Sequence, residues 1–348
     1  MLAGFRTNPP LVSLLVVNYN GAGFLRDCLE SLRALSYPRY EVVVVDNGST
    51  DGSRGILAEF GFARVIQSGR NLGFAGGNNL GLRHCTGDLV LLLNSDTVVT
   101  TGFLEPLVRY LAEHPKVAVV QGKMRLPRFG GVLDACGSFL TPLGFPYHYG
   151  YLKPDGPKYQ RSYPVFSGKG ACLLFRRDVI SLAGGFLFDE GFFCYYEESD
   201  FCHRVWLCGF ETHFVADSII DHLMGATVGA TQKPGFVLRH YLPNMAFSLL
   251  GNLSCAGLFR VFPAFLGMHL AGLLAAIGLG RKDQMAAHWA ALACPVLRFG
   301  KLIERRRLIR SIRRVPDRVL FRRFMRWPGW DYFRKTFAGK LAEYEDEA

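Results

Sequence analysis

Apolar positions in the first third of this chain fall in unbroken runs of four or five residues, separated by stretches in which they recur every three or four. That alternation predicts buried parallel strands joined by amphipathic helices. Residues 11–17 and Tyr40–Asp46 are short, partly β-branched runs, and Phe24, Leu25, Cys28, Leu29, Leu32 and Leu35 recur between them at helical spacing, which makes a βαβ unit. Further strands are predicted at Ala63–Gln67, 88–93 and 117–121, with helices at 53–60, 75–84 and 102–114. The sum is a mostly parallel, Rossmann-like α/β sheet with helices on both faces.

From residue 123 to 164 the pattern gives way to Gly, Pro and aromatic residues, among them Tyr147, His148, Tyr149, Tyr151, Tyr159 and Tyr163. This stretch reads either as an acceptor-side excursion or as an irregular loop layer. Order returns with an apolar run at 170–175, a helix at 198–208 and a strand at 212–216. After Pro243 the chain turns apolar, and 261–280 carries no charge apart from His269. About 20 apolar residues suffice to span a bilayer, but Pro263, Gly267, Gly272 and Gly278 weaken the stretch. An interfacial or re-entrant element fits it first, then a span, then a soluble helical hairpin.

The 348 residues allow one substantial core and a second region. The expected division is a catalytic domain at 1–240, with a nucleotide half at 10–122 and an acceptor half at 123–240, followed by a helical apolar and basic region at 241–348. Charge sharpens that division. Residues 298–335 hold fourteen Lys and Arg against Glu304, Asp317 and Asp331, an excess equal to the whole chain's +11. Leu302, Ile303, Leu308, Ile309 and Ile312 sit among those arginines, with Phe321, Phe324 and Trp327 after them. A basic amphipathic helix beside an apolar run predicts attraction to an anionic membrane surface rather than to nucleic acid. Nine scattered cysteines without CxxC pairs read as reduced thiols, and the first ten residues lack the apolar core of a secretory leader.

In an open α/β sheet ligands bind beyond the carboxyl ends of the strands. Asn18, Asn20, Asp46, Asn47, Asp51, Asn94 and Asp96 all follow apolar runs, so they are expected at one crevice suited to a nucleotide and a metal. Asp46 could accept from a base or ribose, or cap the next helix. Arg70 to Asn79 places Asn71, Gly73, Asn78 and Asn79 at a loop-to-helix start, where backbone N–H groups favour an anion. Asp96 is the best candidate ligand for Mg²⁺ or Mn²⁺, which prefer hard oxygen donors. Glu197, Glu198 and Asp200 open a predicted helix. The helix dipole and an Asp200–Arg204 pair account for Asp200, leaving Glu197 and Glu198 as candidate proton acceptors. His222 is a possible further metal ligand or a structural histidine.

The ordered motifs VVNYNG, VVVDNGSTDGS, NLGFAGGNN, LLLNSDT, EESDFCHR and a later histidine make residues 10–225 resemble the family two glycosyltransferases of GT-A fold, closest to their rhamnosyltransferase-like branch. The resemblance implies that Asn18 and Asp46 contact the nucleoside and that Asn71 with residues 73–79 lies beside the donor. It implies that Asp96 holds a divalent ion on the diphosphate, with His222 as a further ligand. The base position maps to Glu198, where the family more often has Asp. Assignment therefore stays open among Glu198, Glu197 and Asp200. The implied reaction is an inverting transfer of a hexose, rhamnose first, from a dTDP- or UDP-linked donor to a lipid-linked glycan. Its expected place is the cytoplasmic face of the plasma membrane, held peripherally, monotopically or by one span. The rivals are a sugar nucleotidyltransferase and a non-catalytic nucleotide-sugar-binding protein. Against the first, Asn18 to Gly21 has no basic residue.

Overall fold

The computed structural model describes residues 9–224, 234–338 and 343–344. Residues 1–8, Gly225 and most of the acidic tail lie outside them. The chain runs β1 Val12–Asn18, α1 Ala22–Arg33, β2 Tyr40–Asp46, α2 Ser53–Glu59, β3 Ala63–Gln67, α3 Gly73–Leu82, β4 Leu89–Asn94, β5 Thr97–Val99, α4 Leu104–Glu113 and β6 Val117–Leu126. There follow β7 Val132–Ala135, β8 Ser138–Leu140, β9 Pro146–His148, β10 Tyr163–Pro164, β11 Cys172–Arg176, α5 Val179–Leu182, α6 Glu197–Leu207 and β12 Glu211–His222.

The main sheet has the order β10-β12-β6-β11-β4-β1-β2-β3. Parallel pairing sets Asn18 opposite Asp46 and Val17 opposite Asn94, so the polar carboxyl ends of β1, β2 and β4 finish level. Successive residues of β1 serve opposite faces. Leu14 and Val16 join the core under α1 and α4, while Leu15 joins the core under α3 and α6. Each fully buried Val or Leu of this kind contributes about 1.5–3 kcal/mol.

Two features depart from the expected regular sheet, and both position the site. The run at 170–175 forms β11, which lies antiparallel between β4 and β6. Hydrophobic periodicity carries no strand direction, so this reversal was not legible. Its consequence is that Cys172 pairs with Leu93, bringing Lys169 and Gly170 to the carboxyl end of β4. Strand β12 is also longer than the predicted 212–216. A register shift between Val215 and Ile219 carries it on to His222, which pairs with Thr97 beside Asp96.

The C-terminal region is α7 Pro234–Asn252, α8 Cys255–Gly278, α9 Lys282–Leu297, α10 Phe299–Ile312, α11 Asp317–Phe324 and α12 Gly329–Ala338. The expected boundary between residues 240 and 241 falls inside α7. Nor is 298–335 one free basic helix. Arg305 pairs with Asp189 at 2.6 Å and Asp200 at 3.2 Å, Arg323 with Glu211 at 3.0 Å, and Arg313 with Asp317. Carboxylates from the α/β part reach Arg305 and Arg323 because α10 and α11 dock on it, whereas Arg313 is held within the C-terminal region. Lys301, Arg307, Arg310, Arg314, Arg318 and Arg322 remain exposed, with no ion pair to a described residue.

Helix α8 is the one described helix long and apolar enough to cross a membrane. Its Val261, Phe265, His269 and Ala276 are buried, whereas Phe259 is 85% exposed and Leu274 69%.

Candidate functional site

A cleft of about 340 Å³ opens beyond the level strand ends. Its walls include Asn47, Asn71, Gly73, Asn94, Asp96, Lys169, Glu197, Glu198 and His222, with Tyr19, Phe74, Phe193 and Phe236 supplying apolar surface. Eight of the residues expected from sequence therefore meet in one place.

Asp96, His222, Asp134 and Lys169 form a chain of contacts. His222 Nδ1 donates to Asp134 Oδ2 at 2.9 Å, and Lys169 Nζ donates to Asp134 Oδ1. On the other side of the ring, His222 Nε2 lies 3.3 Å from Asp96 Oδ1, yet this buried nitrogen makes no hydrogen bond. Burial disfavours the charged imidazole, but the carboxylates of Asp134 and Asp96 outweigh it and lift its pKa to about 9. Lys169 and His222 hold the Asp134 carboxyl well below the ordinary range despite burial. Neither Asp134 nor Lys169 was singled out from sequence. Asp134 is a lone acid in a Gly-rich stretch, and the only signal for Lys169 was its place between two glycines just before an apolar run.

Among the described residues no three His, Cys, Asp or Glu side chains form a metal cage. Asp96 with the unpartnered Nε2 of His222 does fit a divalent cation that completes its shell with phosphate oxygens and water, as Mg²⁺ commonly does. A carboxylate on Nδ1 is the usual device for fixing a ligating imidazole.

Glu197 and Glu198 open α6 under strain. Tyr195 and Tyr196 both take left-handed backbone angles, φ 69° and 76°, and each such non-glycine residue costs about 1–3 kcal/mol. Asn244 of α7 holds the turn by donating its Nδ2 to the carbonyls of Cys194 at 3.0 Å and Tyr195 at 2.9 Å. Glu197 is buried, with one carboxyl oxygen unpartnered. Burial, then the neighbouring Glu198, raises its pKa far above the ordinary value. Glu198 is half-buried on the cleft wall. Burial raises its pKa too, while nearby Lys169 pulls it down.

Other expected residues sit elsewhere. Asp200 points into the core, where its two oxygens accept from Arg204, Arg305, Ser248 and Asn252 at 2.8–3.2 Å. It is a structural anchor, because four buried donors occupy it. Asp46 is fully buried, accepting from the Ser49 N–H at 3.1 Å and Arg54 Nε at 3.0 Å. These bonds hold the turn after β2, and neither caps α2, whose N-cap Gly52 has no side-chain partner. Asn18 bonds Ser49 Oγ, and Asn20 Oδ1 accepts from the Thr50 N–H. Asn78 donates to the Phe74 carbonyl, and Asn79 brackets the backbone of Phe188. None of these six lines the cleft.

The loop before α3 also differs from the anion cradle expected of it. Asn47 Oδ1 takes the Leu72 N–H, Asn71 Oδ1 takes the Gly73 N–H, and the Phe193 carbonyl takes the Ala75 N–H. Gly73 is required by close approach, since a Cβ there would stand 2.1 Å from the Phe193 oxygen at φ +73°. The asparagines thus shape the cleft wall rather than leave amides bare.

Comparison with known proteins follows the same lines. Residues 13–180 match the family described as Glycosyl transferase family 2. The O-antigen biosynthesis protein RfbC of Myxococcus xanthus is 30% identical over 196 residues, which is 53% of this chain and 15% of that protein. The low-salt glycan biosynthesis hexosyltransferase Agl10 of Haloferax volcanii is 28% identical over 198 residues, 56% of this chain and 61% of its own. The chain thus spans less than two thirds of either relative. The mannosyltransferase PcManGT from Pyrobaculum calidifontis, solved with GDP-Man and Mn²⁺, superposes with a TM-score of 0.53 at 20% identity, covering 89% of this chain and 88% of that one. The fold is GT-A, as the sequence motifs led one to expect.

Proposed function

The chain belongs, through residues 13–180, to glycosyltransferase family 2, and on that premise we propose that it transfers a hexose, with inversion, from a nucleoside-diphosphate sugar to a hydroxyl of a lipid-linked or surface-polysaccharide glycan. The observation that carries this reading is the cleft itself. Its walls carry both a half-buried carboxylate, Glu198, and the Asp96–His222 pair, around a space of about 340 Å³.

In this reading Glu198 takes the proton from the acceptor hydroxyl as its oxygen bonds to the anomeric carbon and the bond to the diphosphate breaks. Asp96 and His222 Nε2 would hold Mg²⁺ or Mn²⁺, which when bound supplies charge neutralisation on the departing diphosphate. Asp134 keeps the His222 ring in place, and Lys169 balances Asp134 while facing Glu198. The solved relative's GDP-Man and Mn²⁺ support the donor class and the ion. Glycan-building relatives support the acceptor class. Rhamnose is the first sugar to try, on the motif resemblance. The exposed apolar face of α8 and the free arginines support a place at the cytoplasmic face of the plasma membrane.

The test is release of nucleoside diphosphate from dTDP- and UDP-hexoses with a lipid-linked glycan and Mn²⁺, and the anomeric configuration of the product by NMR. Binding of donor without release on any acceptor would reject transfer in favour of a binding protein, and a retained configuration would reject inversion.

A further inference from the structure

We infer that α8 lies flat in the surface of an anionic bilayer, with one apolar stripe immersed and the opposite face on the protein, and does not cross it. The inference deepens the membrane placement proposed above.

The outward side chains of α8 are Phe259, Pro263, Leu266, Leu270, Leu274 and Ile277, all exposed. Their spacing of three and four residues puts them on one stripe along the helix. The opposite face carries Val261, Phe265, His269 and Ala276, all buried. Such a helix has unusual chemistry for a protein surface, because both its faces are apolar while only one is covered.

What covers the inner face rules out a crossing. Phe145, from the segment between β8 and β9, stacks on His269 with ring centroids 5.8 Å apart. A Cβ at Gly144 would come within 3.2 Å of Phe265 and 3.5 Å of Val261. His269 also meets His288 of α9 through their Nδ1 atoms, at 3.1 Å. These contacts fall along the middle of a 24-residue helix, about 36 Å long at 1.5 Å per residue. If α8 crossed a hydrocarbon core of roughly 30 Å, the loop at 144–145 and the polar backbone behind it would sit near the bilayer centre. Lying flat, the same helix leaves the α/β body in water.

Charge names the occupant. Arg260 stands exposed near the start of α8, and Arg281 with Lys282 just past its end. No acid occurs from residue 255 to 282, and the next one, Asp283, is turned against Gly235 of α7. Arg260 lies 5.8 Å over the Phe321 ring, so α11 with its exposed Arg318 and Arg322 flanks the same end. An apolar stripe with cations at both ends suits anionic headgroups over acyl chains. Pairing of two copies through this stripe would oppose cation to cation, whether the helices ran parallel or antiparallel.

The experiment uses the full chain in a Cys255→Ser background, with a nitroxide on single cysteines replacing Phe259, Leu266, Leu270, Leu274 or Ile277. On phosphatidylglycerol vesicles, oxygen and nickel-chelate accessibility should give all five labels one shallow depth, about 5–10 Å below the headgroups. A depth profile deepest at Leu270, or water-like labels on vesicles, would overturn the inference. So would labels already buried in solution in a chain of doubled mass. Arg318→Gln with Arg322→Gln should lower partitioning by about fivefold per residue, and equal partitioning onto phosphatidylcholine would refute the charge argument. Nucleoside-diphosphate release without vesicles is read separately, so loss of catalysis leaves the depth result standing.

Discussion

Asp134 accepts the Nδ1 proton of His222 at 2.9 Å, which turns the Nε2 of that ring toward Asp96, 3.3 Å away. On the proposed reading, in which the pair holds a cation, the carboxylate is a positioning residue. Asp134→Asn is expected to weaken Mn²⁺ binding by about 10- to 100-fold, read by electron paramagnetic resonance titration of free Mn²⁺ and independent of turnover. Asp96→Ala should abolish turnover. Unchanged Mn²⁺ affinity in both variants would place the ion elsewhere.

The two adjacent glutamates are separable by their exposure. Glu198→Gln is expected to bind donor as the wild type does and to lose about 10²- to 10⁴-fold in transfer, measured as donor affinity by calorimetry and as diphosphate release. Glu197→Gln, deeper and already inclined to the neutral form by burial, should lose less. A near-wild-type rate in Glu198→Gln would move the base to Glu197.

The acid limb of kcat/KM follows from the same pocket. A base must be ionised, so the rate falls as pH drops through its pKa, and burial lifts the Glu198 pKa above the ordinary 4.5. Lys169 opposes that rise. Lys169→Met should therefore shift the acid limb to higher pH, and a shift to lower pH would contradict the charge relationship between the two residues.

Asp200 tests stability rather than chemistry. Removing one partner of a buried ion pair costs about 3–5 kcal/mol, so Asp200→Asn or Arg305→Met should lower the thermal midpoint by several degrees. Arg204 and Arg305 hold the folded Asp200 carboxyl below its ordinary 3.8. Its contribution is present above the unfolded pKa and is lost as pH falls through the folded one, so the variant and wild type should converge in acid unfolding. A variant with an unchanged midpoint but no transfer would return Asp200 to the catalytic candidates.

What could be read ahead was what is local. The level carboxyl ends of β1, β2 and β4 follow from apolar runs that stop at Asn18, Asp46 and Asn94, and the motif order pointed to Asp96 and His222. What stayed hidden depends on contacts between distant stretches. Lys169 reaches the cleft only because β11 runs antiparallel, and no periodicity records that. Asp134 meets a histidine 88 residues away. Asp200 keeps the expected partner Arg204 on its own helix, but its other partners, Ser248, Asn252 and Arg305, lie on α7 and α10. The arginines of 298–335 read as one solvated cationic face for the same reason, since the acids that neutralise several of them come from elsewhere in the chain.

The amide of Asn244 ties an uncomfortable pair of tyrosines to the first helix beyond the sheet. Chimeras that graft another relative's tail onto this catalytic half must therefore carry a matching donor at that position, or the loop presenting the two glutamates relaxes and the graft is inert. Cutting the chain there to obtain a soluble fragment would remove the same strut. The first helix of the C-terminal region and the turn that presents Glu197 and Glu198 are mechanically joined in this molecule, and neither can be engineered without regard to the other.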